Sequence, residues 1–515
     1  MDKKHWFSTF LALALALITI ACSDQSNNHS NNDIITVFDF DDLKNNDIYL
    51  VKVNTSRFVL NASNTGSVQD AAPGLYKYSG RSSDTRGTLG IQYKELPITG
   101  RPFDEHIEFP IPESKSDSGE TPLRSLAVFS PPVLNSTKSF WVETFYGSYS
   151  FIQIQATLLA IGKYCNIWIN KSSISESEAQ AMADQFDIIY PAATNILGYE
   201  YGGKPGHNQP GGMDGDPKIQ ILIYDILDDK KEVAAGGYFW GKDFYTDAQT
   251  NSWWGWRSNE AEIFYLDANH VKDYPLYASS VLVHEFQHMI NFNEKFVEKK
   301  LSSSSWYNEM LSMMTEDVIA DLIGIPQADQ QHIIQQRMPD FNLGYAEEGI
   351  TEWGGLSAAY SYATKYAFGA YLLRNYGGAD LLKRILANNT VDIASITSAL
   401  NEISSGLTFD DALMRYGEAL IFSNPVPDNT MSFNKTVENT INGTKYTAYK
   451  FDILDIVRRG GTAKGPVIYN LTQRTMRPHS ITIHSSDKWK NVSGNISITL
   501  QKPADSGIEL ILIVK

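Results

Sequence analysis

Residues 283–289 read Val-His-Glu-Phe-Gln-His-Met, and they restrict the chain more than any other stretch. Two histidines four positions apart on a helix lie one above the other on the same face, so His284 and His288 can turn both imidazoles toward one metal ion. The flanking residues Val281, Leu282, Val283, Phe286, Met289 and Ile290 predict a buried helix. A buried imidazole pair needs a partner, and zinc would supply it. A catalytic zinc takes three protein ligands and leaves a fourth position to water. Residues 306–312, Trp-Tyr-Asn-Glu-Met-Leu-Ser, offer the third ligand in Glu309, 21 positions after His288. That spacing lets the first helix end, a turn form through the serines at 302–305, and a second helix bring Glu309 back.

The chemistry such a site requires fits the remaining residues. Neutral His284 and His288 with the Glu309 carboxylate would hold one catalytic Zn2+, and a water in that site becomes acidic near neutrality. Glu285 would take the proton of the attacking water and pass it to the leaving nitrogen. Reading Glu285 as a solvated helix charge fits poorly between Val283 and Phe286.

An HExxH helix followed by an Asn-Glu helix start resembles the gluzincins, the thermolysin clan of zinc peptidases. The resemblance implies an edge strand just upstream of the histidine helix that binds peptide by backbone pairing. By order along the chain, Tyr238, Phe239 and Trp240 are the substrate-binding candidates, with an ordinary aromatic hairpin as the alternative. In the aminopeptidase branch of the clan a tyrosine from a Tyr-x-x-Gly-Ala helix steadies the oxyanion. Tyr366-Ala367-Phe368-Gly369-Ala370, followed by Arg374 and Gly377, is similar, which puts Tyr366 first, ahead of Tyr362 and Tyr360, with a core tyrosine as the alternative reading. Thermolysin-like enzymes brace a histidine ligand with an Asp one turn beyond the Glu ligand. Here Met313 occupies that place, leaving Ser312, Glu316 or Asp317 as substitutes.

A nearer resemblance is to the hyicolysin-type bacterial neutral metalloproteases, over roughly 156–420. It is carried by Gly162-Lys163-Tyr164-Cys165 before Ile167-Trp168-Ile169, the Asp-Gly-Asp loop at 214–216, Ser258-Asn259 before 263–267, the HExxH stretch and 306–312, in that order. It implies a secreted or surface zinc endopeptidase with broad protein substrates. The alternative is a surface adhesin or binding protein that keeps a zincin fold with little peptidase activity.

Composition sets the outer limits. A net charge of −16 over 515 residues argues against a nucleic-acid partner, which needs a basic face. Residues 1–21, with Lys3 and Lys4 before an apolar run, read as a secretory signal. Cys22, following a small residue, resembles a bacterial lipoprotein cleavage site, although Thr19 stands where Leu is usual. Lipidation of Cys22 and an anchor in the bacterial envelope are therefore expected, with ordinary signal cleavage and secretion as the alternative. Cys165 reads as a buried small residue.

The expected fold class is α+β: a zincin (gluzincin) catalytic domain carrying the HExxH helix, flanked by β-rich domains. The boundaries read as signal 1–21, tether 22–33, N-terminal β-rich domain 34–150, metallopeptidase domain 151–425 and C-terminal β-sandwich-like domain 426–515. Ser175 with Glu178 predicts a capping box opening a helix, and the apolar run 219–224 predicts a central strand. The loop 212–219 resembles a degenerate Ca2+ loop. Gly212 replaces its acidic first ligand and Pro217 its required Gly, so a surface turn is favoured. A monomer acting on protein or peptide substrates is expected.

Overall fold

A computed structural model describes residues 33–62, 68–69, 129–171, 174–207, 210–227, 235–354, 357–423, 430–471, 474–503 and 507–515. The signal, most of the tether and Cys22 lie outside the described residues.

The chain is a mixed α+β protein built around a six-stranded sheet. Its strand order is Thr137–Glu143, Phe151–Ile161, Cys165–Ile169, Ile219–Tyr224, Ile263–Asp267 and Gly237–Phe239. The Ile219–Tyr224 strand pairs in parallel with both neighbours, and the remaining pairs are antiparallel. Strands with both faces covered lose the polar–apolar alternation, and every residue of Ile219–Tyr224 and Ile263–Asp267 is buried. Ile221, Ile223, Phe264 and Leu266 face the helices, packing with Phe186 and Phe286. Leu222, Tyr224, Ile263 and Tyr265 face an aromatic cluster that includes Trp168, Tyr238, Trp240 and Trp256.

The helix Glu176–Leu197 opens with the expected capping box, Ser175 accepting from the Glu178 amide and Glu178 from the Ser175 amide. It packs against the histidine helix, Pro275–Asn291, in the same core as the sheet. The glutamate helix, Ser305–Ile319, and the tyrosine helix, Ala358–Tyr376, complete the layer around it. Among the described residues, no helix is long and apolar enough to cross a membrane.

The β-rich flanks pair differently from the expected two domains. Strand Asp33–Asn46 lies antiparallel to Val492–Pro503, and Ile48–Asn54 sits between Ile481–His484 and Ile508–Val514. The early and late strands therefore form one joint β unit. Its strand Ile48–Asn54 also reaches the main core: a Cβ on Gly417 would come within 2.7 Å of Val51, so only glycine lets the helix Phe409–Ile421 pack there. The boundary expected at 150 falls inside a hairpin, because Thr137–Glu143 pairs with Phe151–Ile161 and belongs to the central sheet. Residues of the 430–455 stretch pack on the helices, with the Tyr446 hydroxyl donating to the Ala192 carbonyl at 2.7 Å.

Candidate metal centre

The histidine helix starts with Pro275 in its first turn and is buried from Tyr277 to Asn291, because it runs between the sheet and the other helices. His284 and His288 project from one face with ring centroids 4.7 Å apart. Glu309 enters from the glutamate helix. Its Oε2 is 3.0 Å from His284 Nε2, and its Oε1 is 3.5 Å from His288 Nε2, an ion-pair distance that does not complete a hydrogen bond. One ligand atom from each of the three residues falls within 4.8 Å of the others, and all three residues are buried. Among the described residues no other His, Cys, Asp and Glu cluster meets this spacing.

The charges around this group favour a cation. Glu285, Glu309 and Glu316 are each no more than 1% exposed, and all three surround the same histidine pair. Burying carboxylates together is costly unless positive charge compensates them. Burial disfavours the charged form of His284, but hydrogen bonds and charge from Glu309 and Glu316 outweigh it and push the imidazole up to about 10. A proton on His284 and a divalent cation thus answer the same excess of negative charge. Two imidazoles and a carboxylate are also a donor set that suits zinc, so the residues fit the metal that the spacing suggested.

Each histidine is held from behind by the glutamate helix. Glu316 Oε1 lies 2.7 Å from His284 Nδ1, and Ser280 donates to Glu316 Oε2 at 2.5 Å. Ser312 Oγ lies 3.2 Å from His288 Nδ1 and also bonds the Gln287 side chain. Of the three substitutes for the missing Asp, Ser312 and Glu316 reach the histidines. Asp317 instead pairs with Arg374, at 2.7 Å.

Glu285 is fully buried, and neither of its carboxylate oxygens completes a hydrogen bond. Burial pushes it up to about 7, against the pull of His284 and His288 and of the nearby Phe239 amide. That amide belongs to Gly237–Phe239, which is an edge strand, as the order along the chain implied. The side chains of Tyr238, Phe239 and Trp240 are packed inward: Tyr238 stacks on Tyr265, Phe239 meets Phe244 and Phe292, and Trp240 meets Trp256. What this strand can offer a ligand is backbone.

Tyr366 is not at the metal group. Its hydroxyl donates to Asp317 at 3.0 Å, in the Asp317–Arg374 pair. Tyr362, one turn earlier on the same helix, has its ring 6.4 Å from that of His284, and Glu309 and Glu285 both act on its phenol. Burial holds that phenol well above its usual range, so it stays protonated. Arg337 lies over the Tyr362 ring at 4.9 Å and Trp353 meets it edge-on at 4.8 Å. Neither residue was marked in the sequence. Arg337 shares its helix with Gln335, Gln336, Asp340 and Asn342, so no pattern in the sequence set it apart.

The loop at 212–219 uses its own carboxylates. Asp214 accepts from the Asp216 amide, and Asp216 accepts from the Lys218 amide and from Asn166. Cys165 is buried, and burial pushes its thiol upward.

A family model for peptidase M30 matches residues 154–441, more than half of the chain. The chain belongs to the Peptidase M30 family. The matched span runs from strand Phe151–Ile161 through every helix from Glu176–Leu197 to Phe409–Ile421. This M30 chain is similar to the neutral metalloprotease ShpI of Staphylococcus hyicus, at 26% identity over 315 residues, and the resemblance read from the sequence is borne out. The alignment covers 58% of this chain and 66% of ShpI, so the chain spans just under two thirds of that relative's length. An aminopeptidase N family protein from Idiomarina loihiensis matches over 73% of this chain and 75% of its own, at 12% identity and a TM-score of 0.26, too low to speak for a shared fold.

Proposed function

We propose that this M30 chain is a zinc-dependent endopeptidase of gluzincin type, exported to the bacterial envelope or beyond. The observation that carries the reading is the convergence of His284, His288 and Glu309 within 4.8 Å beside a buried Glu285 whose oxygens lack partners. Family membership and the likeness to a neutral metalloprotease support it.

His284, His288 and Glu309 would hold the ion, with Glu316 and Ser312 orienting the two imidazoles. Zinc, when bound, supplies a Lewis acid that acidifies water and polarises the peptide carbonyl. Glu285 removes the proton of the attacking water and returns it to the leaving amine, a task suited to a carboxyl pushed up to about 7. Tyr362 donates to the developing oxyanion from its protonated phenol. The edge strand Gly237–Phe239 pairs with the extended substrate backbone, so recognition tolerates many side chains. The segments 1–21 and Cys22 direct export and lipid anchoring, and protein or peptide substrates are met outside the cytoplasm.

The test is proteolysis by the purified chain. Cleavage of an unblocked and an end-blocked peptide library, with metal analysis, is expected to give internal cuts and one zinc per chain. A zinc-loaded protein that cuts neither library would overturn the reading.

A further inference from the structure

The joint β unit reaches the metal centre through a short relay of side chains. Residues 345–354 connect the helix Ile333–Gly344 to the start of the tyrosine helix. On one side this connection is gripped by the late part of the chain. Arg477 Nε donates to Glu352 Oε2 at 2.8 Å, and Thr351 Oγ1 lies 2.7 Å from His479 Nδ1. Tyr345 donates to the Val467 carbonyl at 2.9 Å and accepts from the Ile483 amide at 3.0 Å. Gly349 lies so close to Pro478 that a Cβ would come within 2.3 Å of its carbonyl oxygen. On the other side, Lys365 of the tyrosine helix donates to the Gly349 carbonyl at 2.9 Å and lies 5.7 Å from the Trp353 ring. Trp353, next to Glu352, is the residue that meets Tyr362 edge-on.

We infer that Arg477 and His479 are positioning residues of the catalytic site: they fix Thr351 and Glu352 so that Trp353 holds the Tyr362 ring beside His284. The inference rests on the reading of Tyr362 as oxyanion donor. A hydroxyl that must meet a developing charge tolerates little displacement, and a shift of about 1 Å can cost on the order of a hundredfold in rate. The grip is chemically steady, because burial pushes His479 down to about 4 and leaves it a neutral hydrogen-bonding group at neutral pH. The Arg477 and Glu352 side chains are only 24% and 20% exposed, and Glu352 Oε2 also accepts from the Gly349 amide, so the pair holds the 345–354 segment in one geometry. Its effect should therefore appear in the rate.

The experiment uses the full chain as Arg477→Ala, Arg477→Lys, Trp353→Ala and the double variant Arg477→Ala/Trp353→Ala. Zinc content, kcat and KM on a quenched peptide, and hydrogen exchange of the 345–354 segment are measured on each. Arg477→Ala is expected to raise exchange in that segment, lower kcat by about tenfold, and leave KM within about twofold and zinc content unchanged. Arg477→Lys should restore most of kcat, and the double variant should be no slower than Trp353→Ala alone. Unchanged exchange in 345–354, an unchanged kcat, or additive losses in the double variant would overturn the inference while leaving the enzyme reading intact. A loss of kcat and zinc together would also overturn it, as mere loss of fold. A zinc-loaded wild type that cuts no peptide overturns the enzyme reading, and this inference with it.

Discussion

Glu316 reaches His284 Nδ1 at 2.7 Å from a position two turns beyond Glu309 on the same helix. Both the proposed ligand Glu309 and the brace on His284 are therefore set by one rigid element. Carboxylates that fix a ligating imidazole are worth about 10–100-fold in metal affinity. Glu316→Gln is expected to weaken zinc binding by that order, read by competition with a chromogenic chelator. Unchanged affinity would mean that Glu316 serves only the packing around Ser280.

Replacing the proposed base separates chemistry from binding. Glu285→Gln keeps the shape and removes the proton acceptor, so zinc content and melting temperature should hold. Turnover should fall by about 10²–10⁴. An active Glu285→Gln variant would require another base.

The two tyrosines should part company. Tyr362→Phe is expected to lower kcat by about 10²–10³, the usual worth of one oxyanion donor, with little change in unfolding midpoint. Tyr366→Phe takes a hydrogen bond from the buried Asp317–Arg374 pair. It should cost about 1–3 kcal/mol of stability and spare kcat, as denaturant unfolding beside steady-state kinetics would reveal.

Metal removal should be felt by the whole fold. A ligand at a thousand times its Kd stabilises the native state by about 4 kcal/mol, and chelation also leaves Glu285, Glu309 and Glu316 buried together. Scanning calorimetry should give a lower melting temperature in chelator, restored by zinc. A melting temperature indifferent to both would argue against a resident ion.

A carboxyl away from the metal centre sets a pH signature. Burial pushes Glu200 up to about 7 from an ordinary value of 4.5, and Tyr190 donates to it at 2.7 Å. Between those two values the folded state binds more protons than the unfolded one. Its contribution to stability is complete below about pH 4.5 and is lost as pH rises through 7, with a limiting slope of about 1.4 kcal/mol per pH unit for one proton. Glu200→Gln should flatten that part of the profile, measured by unfolding from pH 5 to 8. An identical slope in the variant would place the titration elsewhere.

Local pattern carried much of this protein, and its limit is visible in particular residues. His284 and His288 were legible because four positions make one helical turn, and Glu309 because a second apolar-periodic helix had room to return. The capping box at Ser175 and the buried run 219–224 were legible for the same local reasons. Tyr362 and Tyr366 also lie one turn apart on one face. Nothing in their spacing tells which height along that face meets His284; the family likeness put Tyr366 first, and it is Tyr362 that lies beside His284. The flanking strands were legible as strands, but their partners were not. Strand Ile48–Asn54 carries no mark saying that Ile481–His484 and Ile508–Val514 will flank it.

That long-range pairing fixes an order of events during biosynthesis. Strand Ile48–Asn54 leaves the ribosome early and keeps both hydrogen-bonding edges open until residues more than four hundred positions downstream have been translated. Arg477 and His479 arrive in the same late instalment. A nascent chain can thus assemble its histidine and glutamate helices well before it possesses the residues that grip Thr351 and Glu352.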